Sequence, residues 1–180
     1  MSNKPQLPPI SELNSDSLSQ EDFIKVTNVL FESAPPLASS LFRARPFKSY
    51  QQLIEAAEAI VTGLSFDEKL QVINAHPRIG ERKPVSAFSY KEQGCDKDAA
   101  LASKQEKEKL NQTLATLDSL NKRYEEKFGF KFVVFVNGRS KEELVPVLLE
   151  RLEHKNASEE LMLGLKEMMA IAKDRLSKLN

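Results

Sequence analysis

His76, Ser89, Glu92 and Gln93 bring an imidazole, a hydroxyl, a carboxylate and an amide into one stretch of chain, residues 75–94. Pro77, Gly80, Pro84 and Gly94 interrupt any helical period there, so the stretch reads as irregular chain held between helices. Loops rich in hydrogen-bonding groups on a rigid scaffold are where sites concentrate. An imidazole and a carboxylate meeting across a pocket can divide acid and base work, a contribution of roughly 10²–10⁴-fold. Blander readings stand beside this one. A histidine ending a helix serves equally as a cap or a satisfied partner. Glu92, three residues after Ser89, has the spacing of a capping-box glutamate.

Other chemistries find no support in residue type or spacing. Two histidines far apart in sequence and one cysteine do not make a metal-ligand cluster. No glycine-rich phosphate loop follows a strand, and no Gly-x-Ser-x-Gly elbow is present. Nothing pairs Cys95 with a base, so it reads as a bystander thiol, and His154 reads as a solvated residue in a polar helix end.

The elements that must position the stretch are helical. Residues 1–16, with three prolines, read as a partly ordered lead-in that Ile10 and Leu13 tack onto the core, and residues 17–180 as the folded domain. Ser19 caps a helix over 20–33 with Phe23, Val26, Leu30 and Phe31 inward. A short helix over 36–43 follows. Ser49-Tyr-Gln-Gln52 and Ser65-Phe-Asp-Glu68 read as capping boxes, the second opening a helix that must stop near His76 ahead of Pro77. That end of a helix favours a protonated imidazole. Asp98 to Lys127 reads as one long helix, stopped by Gly129. Ser140-Lys-Glu-Glu143 starts another, and a last helix covers 158–178. Phe130 to Val136 has strand-like composition but no partner to pair with, so it reads as a buried extended or irregular segment. The expected class is all-α, a single-domain bundle of about seven to nine helices with one strand-like apolar segment buried without a sheet.

Composition limits the partners. At 180 residues the chain is long enough for a core of its own. Apolar residues make up 41% and charged residues 29%, as in ordinary globular proteins. The 26 Lys and Arg balance the 26 Asp and Glu, so no excess charge calls for nucleic acid or an anionic membrane. A single cysteine excludes an intrachain disulfide and suits a reducing compartment. No apolar run is long enough to span a bilayer, and the N-terminus lacks a signal-peptide pattern. Ser177-Lys178-Leu179 nearly spells a peroxisomal address, but Asn180 follows it, so the cytoplasm is expected.

His76-Pro77-Arg78-Ile79-Gly80 followed by Ser89-x-x-Glu92-Gln93 resembles the signature of the 2-oxo-4-hydroxy-4-carboxy-5-ureidoimidazoline (OHCU) decarboxylase family. Phe31-Glu32-Ser33 with Arg43-Ala-Arg-Pro-Phe47, Lys127-Phe-Gly-Phe-Lys-Phe-Val133 leading to Asn137-Gly-Arg-Ser-Lys-Glu-Glu143, and Ile171-Ala172-x-x-Arg175-Leu176 resemble its flanking segments in order. The resemblance covers roughly residues 20–179. It implies an all-helical lyase without cofactor or metal, commonly a homodimer, that takes CO2 from a small-molecule substrate in urate catabolism and leaves (S)-allantoin. His76 then matches the catalytic histidine, and Glu92 would orient the 4-hydroxyl. Ser89, Gln93 and the backbone beside Pro77 would hold the ring edges. The 130–134 segment, with Phe132, Val133 and Val134, would line the pocket, and Arg175 would fork an anionic oxygen. The connection from Gly80 to Ser89 reads as shorter than in animal relatives. Two other readings remain: a helical binding module that keeps the fold without the chemistry, and a hydrolase of a related ureido compound.

Overall fold

The computed structural model describes residues 6–81 and 87–179. Among them are ten helices and no strand, so the class is all-α. The chain gathers into two compact units, Met1–Ala75 with Leu165–Asn180, and His76–Gly164.

In the first unit, α1 (Ile10–Leu13), α2 (Gln20–Phe31), α3 (Pro35–Arg43), α4 (Tyr50–Gly63) and α5 (Phe66–Asn74) lead to the far half of the last helix, from Leu165. Ser19 accepts the Asp22 N–H, and Glu21 and Asp22 place negative charge against the positive end of α2. Pro35 and Pro36, which cannot continue α2, occupy the first turn of α3, where their missing N–H groups cost nothing. Ser49 caps α4, but Gln52 Oε1 accepts from Lys48 N and not from Ser49, so the reciprocal box expected there is only half made. Ser65 and Glu68 make both bonds of theirs. Helix α3 packs on α2, α4 and α5. The lead-in is pinned: Leu13 is fully buried, Asn14 exchanges two hydrogen bonds with the Phe47 backbone, and Arg45 donates to the Leu13 and Ser15 carbonyls.

In the second unit, α6 (Ala87–Glu92), α7 (Cys95–Ala99), α8 (Lys104–Phe128) and α9 (Lys141–Leu152) precede the first part of α10 (Ala157–Leu179). Two sequence expectations change here. The helix expected from Asp98 is two: α7 ends at Ala99, and Ser103 opens α8 with a complete capping box to Glu106. Ser89 lies inside α6, its carbonyl accepting from Gln93 N, so Glu92 is the last residue of that helix and not a capping-box glutamate. The one-turn α1 and the five-residue α7 carry the count above the expected seven to nine. Gly129, at φ 82°, ends α8 in the left-handed region that favours glycine. The 131–136 segment forms no strand, yet Phe132, Val133, Val134 and Val136 are buried in it, as expected for a strand-like run without a sheet. Helices α8 and α9 pack against each other.

The Pro84 break and the length of the Gly80–Ser89 connection fall partly on residues 82–86, and Asn180 closes the chain; both lie outside the described residues. Among the described residues no helix is long and apolar enough to cross a membrane.

Candidate active site

The second unit is built around the strip His76–Gly80. His76 follows the C-cap of α5 directly and is only 4% exposed; Pro77 beside it is buried. The strip runs without regular structure because Pro77 removes an N–H and Gly80 takes φ 85°. Its backbone groups are therefore satisfied from outside, one by one. Lys131 Nζ donates to the His76 carbonyl at 3.0 Å. Asn121 Nδ2, on α8, donates to the Ile79 carbonyl at 2.9 Å. Gln93 clamps the strip's end, with Nε2 donating to the Arg78 carbonyl at 3.1 Å and Oε1 accepting from Gly80 N at 3.0 Å. The Arg78 side chain forks onto Glu125 of α8 at 2.5 and 2.6 Å, a bidentate pair that raises the guanidinium pKa.

Ser89, Glu92 and Gln93 share one face of α6 and its end, since residues three and four apart in a helix are neighbours. Ser89 and Gln93 are buried and Glu92 is half-buried. The Gln93 bonds therefore bring the α6 residues to the strip that begins at His76. The Lys131 bond brings up the segment carrying Phe132, Val133 and Val134. His76, Pro77, Ser89, Glu92, Gln93 and the apolar segment are thus tied into one neighbourhood of one unit by named hydrogen bonds or direct chain adjacency. Gln93 spends one donor and one acceptor on backbone, leaving its second N–H and second lone pair.

Arg175 belongs to the first unit. It is 1% exposed, and its guanidinium donates to the Val29 and Leu30 carbonyls and pairs with Glu32 at 3.3 Å.

The apolar segment is held from behind by a buried polar hub. Glu160, 1% exposed, accepts from Tyr124 Oη at 2.5 Å and from Arg151 Nε, and meets His154 Nδ1 at 2.6 Å. The Tyr124 ring meets Phe132 edge-on with centroids 5.3 Å apart, and the Arg151 guanidinium lies 5.1 Å over the Phe132 ring. Burial, and then the bond to Glu160, push the Tyr124 hydroxyl pKa up. His154, expected to be solvated, keeps 42% of its side chain exposed and is also a partner of the hub.

Sequence reasoning missed Asn121, Lys131, Lys141 and Glu160. Asn121 left a signal: it sits at i+4 from Leu117 and one residue from Leu120 on the apolar stripe of α8, and a polar residue there must find a partner. Lys141 left another, a cation at the first position of a helix. Among the described residues no three of His, Cys, Asp and Glu gather as a metal site would require. The arrangement brings together a buried imidazole, a carboxylate on the helix that Gln93 clamps to the same strip, backbone and amide groups, and a buried apolar segment. Imidazole, carboxylate and amide are the group types that acid–base work on a polar ring draws on.

Residues 16–177 match the family model described as OHCU decarboxylase. The uric acid degradation bifunctional protein of Bacillus sp. (strain TB-90) is 32% identical over 94% of this chain, which spans 32% of that longer protein. The 2-oxo-4-hydroxy-4-carboxy-5-ureidoimidazoline decarboxylase of Haloferax volcanii is 29% identical over 89% of this chain and 90% of its own. A crystal structure of OHCU decarboxylase in the presence of (S)-allantoin superposes with a TM-score of 0.64 at 25% identity, covering 90% of this chain and 98% of that one.

Proposed function

The chain belongs to the OHCU decarboxylase family, and from that premise we propose that it converts 2-oxo-4-hydroxy-4-carboxy-5-ureidoimidazoline to (S)-allantoin and CO2 in urate catabolism. The observation that carries this reading is the Gln93 clamp, which joins the His76 strip to the α6 face in a chain matched to the family over nearly its whole length.

In the reaction the bond from the ring to the carboxylate breaks, and its electron pair passes into the ring's own conjugated system. The protein's work is to orient the carboxylate, stabilise the enolate-like product and return a proton to one face. His76 polarises the substrate or delivers that proton. Glu92 orients the 4-hydroxyl, while Ser89, Gln93 and the backbone beside Pro77 hold the ring edges. Phe132, Val133 and Val134 supply a wall that keeps water away. Arg175 is proposed as the fork for an anionic oxygen. A homodimer and a cytoplasmic location belong to the same proposal; the buried free thiol of Cys95 suits a reducing compartment.

The test is incubation with freshly made urate-oxidation product, following CO2 release and the circular dichroism of allantoin. The protein should raise CO2 release above the spontaneous rate and yield a single enantiomer. His76→Gln should lower the rate by roughly 10²–10⁴-fold with the fold intact. A folded His76→Gln that still makes one enantiomer at the unaltered rate sinks the assignment of His76. A wild-type chain that releases no CO2 sinks the reaction itself.

A further inference from the structure

Lys141 is the first residue of α9, yet only 6% exposed. A cation there opposes the helix dipole, which favours anions at that end, and the next two residues, Glu142 and Glu143, follow the rule that Lys141 breaks. A buried ammonium is retained only with partners that replace its water. It has two: the Gln93 carbonyl at 2.5 Å and the Asp98 carboxylate. Gln93 links α6 to α7, and Asp98 lies in α7, so the ammonium cross-links α9 to that junction. Its charge is felt by the neighbouring Cys95 thiol, whose pKa burial raises and Lys141 pulls back down.

Gln93 thus faces two ways. Its carbonyl is held by Lys141, and its side chain holds Arg78 and Gly80 of the strip that begins at His76. Local rules broken at a buried position, with no gain to the helix that carries it, mark a requirement elsewhere in the fold. We propose that Lys141 is a positioning residue for the decarboxylation: by fixing the Gln93 backbone it sets the separation between the His76–Gly80 strip and the Ser89–Gln93 face. This rests on the reaction proposed above. Misplacement on the scale of 1 Å costs on the order of 10²-fold when reacting groups must be aligned.

The experiment compares wild type, Lys141→Met, which keeps the apolar stem, and Lys141→Arg, which keeps the charge. Lys141→Met should lower kcat by roughly 10- to 100-fold while KM moves by less than about threefold, because alignment matters more in the transition state than in binding. Lys141→Arg should recover most of that loss. Amide hydrogen exchange, which needs no activity, should show the Gly80 N–H losing protection in Lys141→Met. Unchanged kcat overturns the proposal, as does a kcat loss with Gly80 protection intact. Should Lys141→Met not fold, Asp98→Asn, at a partly exposed carboxylate, loosens the same ammonium. The same two measurements then apply: lowered kcat with lost Gly80 protection supports the proposal, and either one unchanged overturns it. A wild type that releases no CO2 overturns the reaction instead, and Gly80 protection then decides the Lys141 link alone.

Discussion

The last carbonyls of a helix have no partner inside it, and α2 shows how one residue far along the chain can supply them. Asn28 O takes the Glu32 N–H, while Val29 O and Leu30 O take Arg175, which also pairs with the left-handed cap residue Glu32. Arg175 therefore has a structural duty inside its own unit, beside the anion-binding role proposed for it. Replacing it by methionine removes one partner of a buried ion pair, a loss of about 3–5 kcal/mol. At about 2–4 °C per kcal/mol for a chain of this size, the melting temperature should drop by several degrees or more. Kinetics on the folded fraction separate the two duties: an unchanged KM confines Arg175 to α2, and a raised KM extends it to substrate. His154 makes the same point with less consequence. Its neighbours are polar in sequence, but its partner, Glu160, is buried at the start of the next helix.

Between elements, the critical distance is that from the strip to α8. Asn121 and Glu125 of α8 hold the Ile79 carbonyl and the Arg78 side chain, while Leu117 presses on Gly80. A Cβ at Gly80 would lie 3.1 Å from Leu117 Cδ1 and 3.3 Å from its Cβ, in a backbone at φ 85° that L-residues avoid. The left-handed conformation alone costs about 1–2 kcal/mol in a residue with a side chain. Gly80→Ala should therefore destabilise by about that amount or more and also lower activity, since the strip can relieve the contact only by moving away from α8. Urea unfolding together with CO2 release checks both. Lost stability with full activity would show that the strip absorbs the strain without moving His76.

Across the whole molecule, each unit holds a tyrosine whose hydroxyl is hydrogen-bonded and whose pKa is raised. In the first, Tyr50 Oη donates to the Pro8 carbonyl at 2.7 Å, and burial, with Glu12 nearby, pushes its pKa to about 12. In the second, Tyr124 donates to Glu160, and its pKa rises for the same leading reason. A tyrosine in the unfolded chain titrates near pH 10. Above that pH the unfolded state has lost protons that the folded state retains, so stability falls as pH rises. The contribution is complete below about pH 10 and declines through the folded values. Urea midpoints should be flat from about pH 8 to pH 9.5 and then fall, with Tyr50→Phe and Tyr124→Phe each flattening the decline. A midpoint that keeps its value to about pH 11 would mean these hydroxyls are not held as described.

Local chemistry was legible from the chain. Caps at Ser19, Ser65 and Ser140, the stop at Gly129, the all-α class and the sheetless apolar run follow from short-range hydrogen bonding, backbone sterics and hydrophobic period. The motif around His76 and Ser89–Gln93 was legible too, as residue types in order. The division of the expected long helix at Ser103 was readable but overruled by helix-favouring composition on both sides. What the sequence could not supply was the partner of each polar group. Gln93 reads from the sequence only as a ligand for substrate, and the structure shows its amide also on Arg78 and Gly80. Lys141 reads as one more surface lysine until its ammonium is seen on Gln93 and Asp98. A hydrogen bond across 48 residues depends on where two helices end in space, and only the packing of α8 and α9 around the strip decides that. The stretch proposed to carry the chemistry was thus set by its own residues, and the bonds that tie its two halves together depend on residues elsewhere in the chain.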